Sequence, residues 1–164
     1  LIFVDRNPEY EPELEQAIAL FSETEATDVN EELGAYYLKN NDKTKALSYY
    51  EAAYQKNPND VNVLRNLMLL QLQAQQFEKA ATLSEEALAF YPAQAVFYLV
   101  YGVAQNGLGN AQQAVDYLEM GVDYVIENPQ MQADFYSELA RGYEDLGNAE
   151  KAAEYRTRLK NLTQ

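Results

Sequence analysis

Apolar side chains recur along this chain with the period of an amphipathic helix, and polar caps and turns divide the pattern into short segments. The first segment covers about residues 29 to 40, and the second runs to Pro58, where proline cannot continue a helix. Side chains that suit N-caps precede several segments: Asp28, Asp60, Asn110, Asn128 and Asn148. The same alternation predicts further helices at about 61–74, 77–90, 93–107, 111–126, 129–146 and 149–163.

The pattern also repeats at a longer distance, since several positions return with a period of about 34 residues. Ala46, Ala80 and Ala114 form one such series. A fourth copy, which includes Ala152, comes later than this period requires, and the surplus lies around residues 121–128. Because the surplus amounts to about one helical turn, we expect the insertion to lengthen a helix while its buried face stays in register. The sequence therefore predicts four helix pairs in succession.

The residues at these repeating positions resemble the tetratricopeptide repeat (TPR) family. The first repeat matches the family pattern with Leu33, Gly34, Tyr37, Ala46, Tyr50, Ala53 and Pro58. The resemblance implies an all-α fold, a right-handed α-α superhelix (TPR solenoid) of about four helix-turn-helix repeats plus an N-terminal capping helix. The array covers residues 28–163, with repeats at about 28–60, 61–94, 95–130 and 131–163. Residues 1–27 are expected to hold the capping helix, at about 11 to 23, or a partial repeat.

The third repeat is longer than the others, and its segment from Gly121 to Pro129 is similar to that of a group of bacterial TPR proteins. These proteins are often larger and attached to the cell envelope. That similarity implies a slice of a longer bacterial repeat array. It also implies the cell envelope or periplasm if a signal sequence has been removed, and the cytoplasm otherwise.

Composition excludes several kinds of chemistry, because the chain has no Cys and no His. A thiolate nucleophile, an imidazole base, a Cys/His zinc site and a disulfide are all impossible. Catalysis would have to use carboxylate pairs such as Glu85 with Glu86 or Glu144 with Asp145. Adjacent helical side chains point about 100° apart, so neither pair converges on one site. No calcium-loop pattern is present either. We therefore expect a non-enzymatic protein without a cofactor or metal.

Charge points to the class of partner. The chain has 12 basic and 26 acidic side chains, a formal net charge of -14. Nucleic acid is not an expected partner, because its binding depends on Lys and Arg. Anionic membrane surfaces are disfavoured for the same reason. The apolar runs are shorter than the roughly 20 residues of a membrane span, so direct membrane insertion is not expected. A protein or peptide remains as the expected partner.

The resemblance implies where such a partner binds, since TPR proteins bind in a concave groove lined by the first helix of each repeat. Apolar side chains dominate the centre of this groove, which a partner, the chain's own flank or a second copy could cover. The chaperone-tail clamp of some relatives is absent, since Asn66 alone matches it. Arg65 and Arg141 could orient a carboxylate or pair with neighbouring acids. The predicted groove residues are Asn62, Arg65, Leu69, Leu72, Gln73, Val96, Leu99, Val103, Asn106, Ser137 and Arg141, with Asp134 beside them.

Overall fold

The computed structural model describes residues 29–162 and, before them, residues 10, 12, 13, 16 and 17. Residues 12, 13, 16 and 17 are helical. The rest of the predicted capping helix, and the predicted cap Asp28, lie outside the described residues. Across 29–162 the chain forms helices and turns without a strand. The helices are α1 (Val29–Lys39), α2 (Lys43–Lys56), α3 (Val61–Gln73), α4 (Phe77–Phe90), α5 (Ala95–Gly107), α6 (Ala111–Val122), α7 (Pro129–Asp145) and α8 (Ala149–Leu162).

The turn within each helix pair has the same geometry. Asn41, Gln75, Gly109 and Gly147 all adopt a left-handed conformation, with φ of 61°, 55°, 80° and 73°. Each donates its backbone N–H to the carbonyl oxygen three residues earlier, at 2.8 to 3.2 Å. A left-handed residue closes a helix by satisfying carbonyls that would otherwise lack a donor. The turns therefore repeat with the same spacing as the side-chain pattern.

Three of the predicted N-caps are confirmed. Asp60 Oδ1 accepts from the backbone N–H groups two and three residues on, at 2.8 and 3.1 Å. Asn128 and Asn148 each accept from the N–H three residues on, at 3.0 and 3.1 Å. Asn110 does not cap α6 with its side chain, because its amide donates instead to Gln105 Oε1 at 2.8 Å. Asn110 therefore occupies the predicted N-cap position of α6 without a side-chain cap.

The insertion in the third repeat is followed by a longer helix, since α7 has 17 residues where α3 and α5 have 13 each, and it does not lengthen α6. The predicted helix 111–126 ends early, at Val122, and residues 123–128 form the connection to α7. Two backbone hydrogen bonds between residues three apart follow the helix: Tyr124 N donates to Gly121 O at 3.1 Å, and Val125 N donates to Val122 O at 3.2 Å. They place the Tyr124 ring against Tyr98, with ring centroids 5.6 Å apart and planes at 17°. This aromatic packing accompanies the early end of the helix.

The chain divides into two compact parts, an N-terminal unit (residues 1–63) and a C-terminal unit (residues 64–164). In the N-terminal unit α1 packs on α2, where the backbone at Gly34 lies against Tyr50 and Tyr37 stacks on Tyr49. In the C-terminal unit α4 packs on α5, α5 on α6, α6 on α7 and α7 on α8, and α5 also contacts α7. A core cluster of this unit contains Ala95, Tyr98, Ala114, Val115, Leu118, Phe135, Leu139, Ala140, Tyr143, Ala152 and Tyr155.

Candidate functional site

The candidate site is a pocket of about 230 Å³ in the C-terminal unit, which we call the inner pocket. Three helices supply its walls, and each is the first helix of a pair. Leu69 and Leu72 come from α3, and the other apolar side chains come from α5. The full lining is Leu69, Leu72, Leu99, Val100, Val103, Asp134, Ser137 and Glu138.

The apolar wall consists mainly of side chains that the core does not fully bury. Helix α5 is apolar on most sides, and Phe97, Tyr98 and Tyr101 are buried. Leu99 and Val103 are four residues apart, so they share one helix face, and both are only half-buried. Leu69 on α3 is 37% exposed although it is a large aliphatic residue. The pocket therefore presents apolar surface that folding of the described residues does not bury.

The polar wall comes from one face of α7, because Asp134, Ser137 and Glu138 follow the i, i+3, i+4 spacing of a helix. Asp134 is exposed and accepts a hydrogen bond from Gln130 Nε2 at 3.0 Å. The Glu138 carboxylate lies 3.8 Å from the Arg141 guanidinium. The lining contains two acidic side chains and no basic one, so the pocket is apolar on one side and acidic on the other.

Asn106 holds the polar wall in place from beneath. Its side chain is 3% exposed, and its amide nitrogen donates to the Glu138 backbone oxygen at 3.1 Å and to Glu138 Oε2 at 2.9 Å. Arg141 donates in return to the backbone oxygen of Asn106 at 3.4 Å. Hydrogen bonds to charged groups are stronger than neutral ones. This network ties α5 to α7 beside the pocket and fixes the Glu138 carboxylate.

The predicted groove residues are only partly brought together. Those that line the pocket are Leu69, Leu72, Leu99, Val103 and Ser137. Arg65 and Gln73 are exposed on α3, and Val96 is half-buried on α5. Asn62 is exposed and belongs to the N-terminal unit. Asn106 is buried, so it has little surface to offer a partner, and Arg141 pairs with Glu138, which is the ion-pair alternative considered from the sequence.

Two lining residues, Val100 and Glu138, are missing from the predicted groove. They occupy the same position in the third and fourth repeats, and Asn66 holds that position in the second. Asn66 is the residue that matches the chaperone clamp, and the same register leads to Val100 in the third repeat and to Glu138 in the fourth. The signal was present in the spacing.

A second polar centre, the Glu119 cluster, lies where α6, α7 and α8 meet and consists of Glu119, Tyr143, Lys151 and Tyr155. Three groups donate to Glu119 Oε1: the Tyr143 hydroxyl at 2.5 Å, the Lys151 ammonium at 3.0 Å and the Tyr155 hydroxyl at 3.3 Å. Lys151 also donates to the Tyr143 hydroxyl at 2.8 Å. The donors and the acceptor of the cluster therefore belong to the chain itself.

Proton affinities in the Glu119 cluster follow from these bonds. Burial raises the pKa of Glu119, but the hydrogen bonds from Tyr143 and Lys151 outweigh it, so the pKa is lowered overall. Burial, together with the Glu119 charge, raises the pKa of Tyr155 to about 12. The hydrogen bonds with Tyr143 and Glu119 raise the pKa of Lys151. The cluster thus favours a charged Glu119, a charged Lys151 and a neutral Tyr155.

Comparison with solved structures concerns the fold. No family model matches the sequence, and no curated protein matches it significantly. MamA from Desulfovibrio magneticus RS-1 superposes with a TM-score of 0.77 at 17% identity, over 98% of this chain and 89% of that chain. MamA of AMB-1 gives 0.72 at 20% identity, over 99% of this chain and 98% of that chain. This chain has an all-α, TPR-type repeat fold. The predicted fold class is confirmed, and the similarity to envelope-attached proteins stays a prediction.

Within this TPR-type fold, one member of each carboxylate pair considered for catalysis has a partner of its own. The Tyr117 hydroxyl donates to Glu85 Oε1 at 3.4 Å, and Glu144 forms an ion pair with Arg156. Across the residues that the structure describes, no group of three or more acidic side chains could hold a metal ion. In the same part of the chain, no helix has the length and apolar character needed to cross a bilayer.

Proposed function

We propose that this chain is a non-catalytic scaffold that binds a peptide or a partner protein in the inner pocket. One observation carries the proposal. Side chains far apart in sequence, Leu69, Leu99 and Ser137, line a single pocket and come from the first helices of three successive pairs. Repeat proteins with stacked helix pairs use such surfaces to bind extended partners.

The size of the pocket favours a side chain over a small molecule. Sites for small molecules enclose roughly 300–1,000 Å³, and the inner pocket is smaller, at about 230 Å³. A pocket of this size suits an apolar anchor from a larger partner. Interfaces often depend on a few such anchors in desolvated pockets.

The polar groups of the pocket also suit binding better than catalysis. The Glu138 carboxylate accepts a hydrogen bond from Asn106 and forms an ion pair with Arg141. The other acid of the lining, Asp134, lies one helical turn away on the same helix. Proton transfer needs a group that can release or take up its proton near a reacting atom. Here the network immobilises Glu138, which suits a positioned hydrogen-bond acceptor.

Partner recovery tests the proposal. The variant carrying Leu99→Asp and Val103→Asp should fail to recover partner proteins that the unchanged chain recovers from a lysate of its source cells. Two charges in the pocket would oppose binding of an apolar anchor, because the anchor would cover them and an unpaired charge is costly to desolvate. Circular dichroism should show unchanged helicity, since both residues are only half-buried. The matched control is Ile126→Asp, which adds a charge at a residue that is 82% exposed in the connection after α6.

Undiminished recovery by the double variant would contradict the scaffold proposal. Size-exclusion chromatography with light scattering addresses the alternative, in which a second copy fills the pocket. We expect a monomer for the unchanged chain. A dimer that Leu99→Asp dissociates would instead assign the pocket to self-association.

A further inference from the structure

We propose that the segment bound in the inner pocket carries an aliphatic side chain beside a lysine or arginine, so that the partner is a cationic, amphipathic stretch of another protein. The inference rests on the proposed function and specifies the chemistry of the partner. It follows from the way in which the two walls of the pocket differ.

The apolar wall determines the first requirement. Leu69, Leu99 and Val103 offer methyl groups from two helices, and only an apolar side chain gains free energy by covering them. The pocket holds about 230 Å³, a volume that suits one aliphatic side chain. An aliphatic anchor matches this wall in both size and chemistry.

The acidic wall determines the second requirement. Glu138 shares its charge with Arg141, but Asp134 accepts its hydrogen bond from the neutral amide of Gln130. Its negative charge therefore stays uncompensated by that bond, at an exposed position on the pocket wall. A cationic side chain that follows the aliphatic anchor would meet this carboxylate.

The charge of the whole chain selects among occupants of the pocket. With a net charge of -14, a second copy of this chain would bring like charge to an acidic wall. Opposed like charges across an interface suppress the wrong partner, while complementary charges speed encounter. A basic segment from another protein is therefore favoured over self-association and over an acidic peptide.

A matched pair of peptides tests the inference. Two short fluorescein-labelled peptides would share one leucine pattern, with lysine at the polar positions of the first and glutamate at those of the second. Fluorescence anisotropy at low salt should give a dissociation constant at least about tenfold lower for the lysine peptide, because several charges contribute. Leu99→Gln should weaken binding of the lysine peptide without adding charge.

A pair of aspartate variants separates the pocket from the general charge of the protein. Asp134→Asn should raise the dissociation constant of the lysine peptide about three- to fivefold, the range of one exposed ion pair. Asp116→Asn on α6 is the control, since Asp116 also accepts from a glutamine four residues earlier, at 2.8 Å. It removes the same charge outside the pocket lining and should leave the dissociation constant within about 1.5-fold.

Several outcomes would overturn the inference. These are equal binding of the two peptides, binding of neither, equal losses in the two aspartate variants, or no effect of Leu99→Gln. None of them contradicts the scaffold proposal, whose failure appears separately as undiminished partner recovery by the Leu99→Asp, Val103→Asp variant. The two proposals can therefore fail independently.

Discussion

The inner pocket and the Glu119 cluster lie in the same C-terminal unit and share helix α7, yet they use their side chains in opposite ways. In the cluster, Tyr143, Lys151 and Tyr155 all converge on one oxygen of Glu119. In the pocket, Leu69 and Leu99 keep apolar surface exposed. Satisfied polar groups stabilise a fold, whereas unburied apolar groups stabilise a complex. The comparison supports the proposed division, in which the cluster stabilises the fold and the pocket binds a partner.

Among the polar substitutions, the largest expected loss of stability is at Asn106, which is buried beneath the pocket and is not part of its lining. Asn106→Ala should lower the free energy of unfolding by about 2 kcal/mol, because it removes one hydrogen bond to a charged carboxylate and one to a backbone oxygen from a buried site. Urea denaturation followed by circular dichroism measures this change. Gln112→Ala, which removes an exposed amide bonded to Asp116, is the control and should cost under about 0.5 kcal/mol. Equal losses in the two variants would contradict the structural role of Asn106.

Removing one acid from each region sharpens the comparison directly. Glu119→Ala should lower the free energy of unfolding by about 1 kcal/mol, since three donors lose their acceptor but water partly replaces it at this half-exposed site. Asp134→Ala should change the stability by less than about 0.5 kcal/mol, because its partner is a single exposed glutamine. The reverse order of the two losses would refute the division of roles.

Lowering the pH should remove the contribution of Glu119 to the free energy of unfolding. Its pKa is lowered in the folded state, so its stabilisation is present above the ordinary value of 4.5 and is lost as pH falls through the folded pKa. The difference in stability between the unchanged chain and Glu119→Gln should therefore shrink below that pH. Unfolding curves of both proteins across the acid range check this expectation. A difference that is independent of pH would count against the charged form.

Raising the pH should remove the contribution of Tyr155 to the free energy of unfolding. Its pKa is raised from 10.0 to about 12, so the stabilisation is complete below 10.0 and is lost as pH rises toward 12. A Tyr155→Phe variant should lose less stability than the unchanged chain across this range, because it has no phenol to ionise. Identical alkaline curves for the two proteins would show that Tyr155 does not titrate as the cluster geometry implies.

A small effect on stability is also expected for an apolar residue of the pocket lining. Leu99→Gln should change the free energy of unfolding by less than about 1 kcal/mol, because Leu99 is only half-buried. Urea denaturation provides the measurement, and Leu118→Gln, at a fully buried position, should cost several times more. A large loss at Leu99 would make it a core residue rather than a binding residue.

The helix pairs and the apolar pocket wall could be predicted from the sequence because both depend on periodicity. The 34-residue series of small residues marks where paired helices approach closely, as at Ala46, Ala80 and Ala114. The same register predicts that Leu69, Leu99 and Val103 are neighbours. The capping helix could not be compared with structure, because most of it lies outside the described residues. Its status as a domain element stays a prediction.

The parts that could not be predicted depend on pairing between helices. Nothing local distinguishes Asn106 from an exposed groove residue until Glu138 is placed 32 positions later. The missing side-chain cap at Asn110 has a local cause instead, since its amide bonds to Gln105 five residues earlier. The end of α6 also escaped prediction, because the surplus turn was expected near residues 121–128, whereas α7 is the helix that is one turn longer. Stacking of Tyr124 on Tyr98, a tertiary contact, accompanies the loop.

The division of roles between the inner pocket and the Glu119 cluster can be tested by methyl NMR of the Leu- and Val-labelled chain during titration with a recovered partner. The account predicts shift changes for Leu69, Leu99 and Val103, with Leu159 on α8 unchanged. Changes at Leu159 without changes at Leu99 and Val103 would contradict the assignment of the pocket as the binding site.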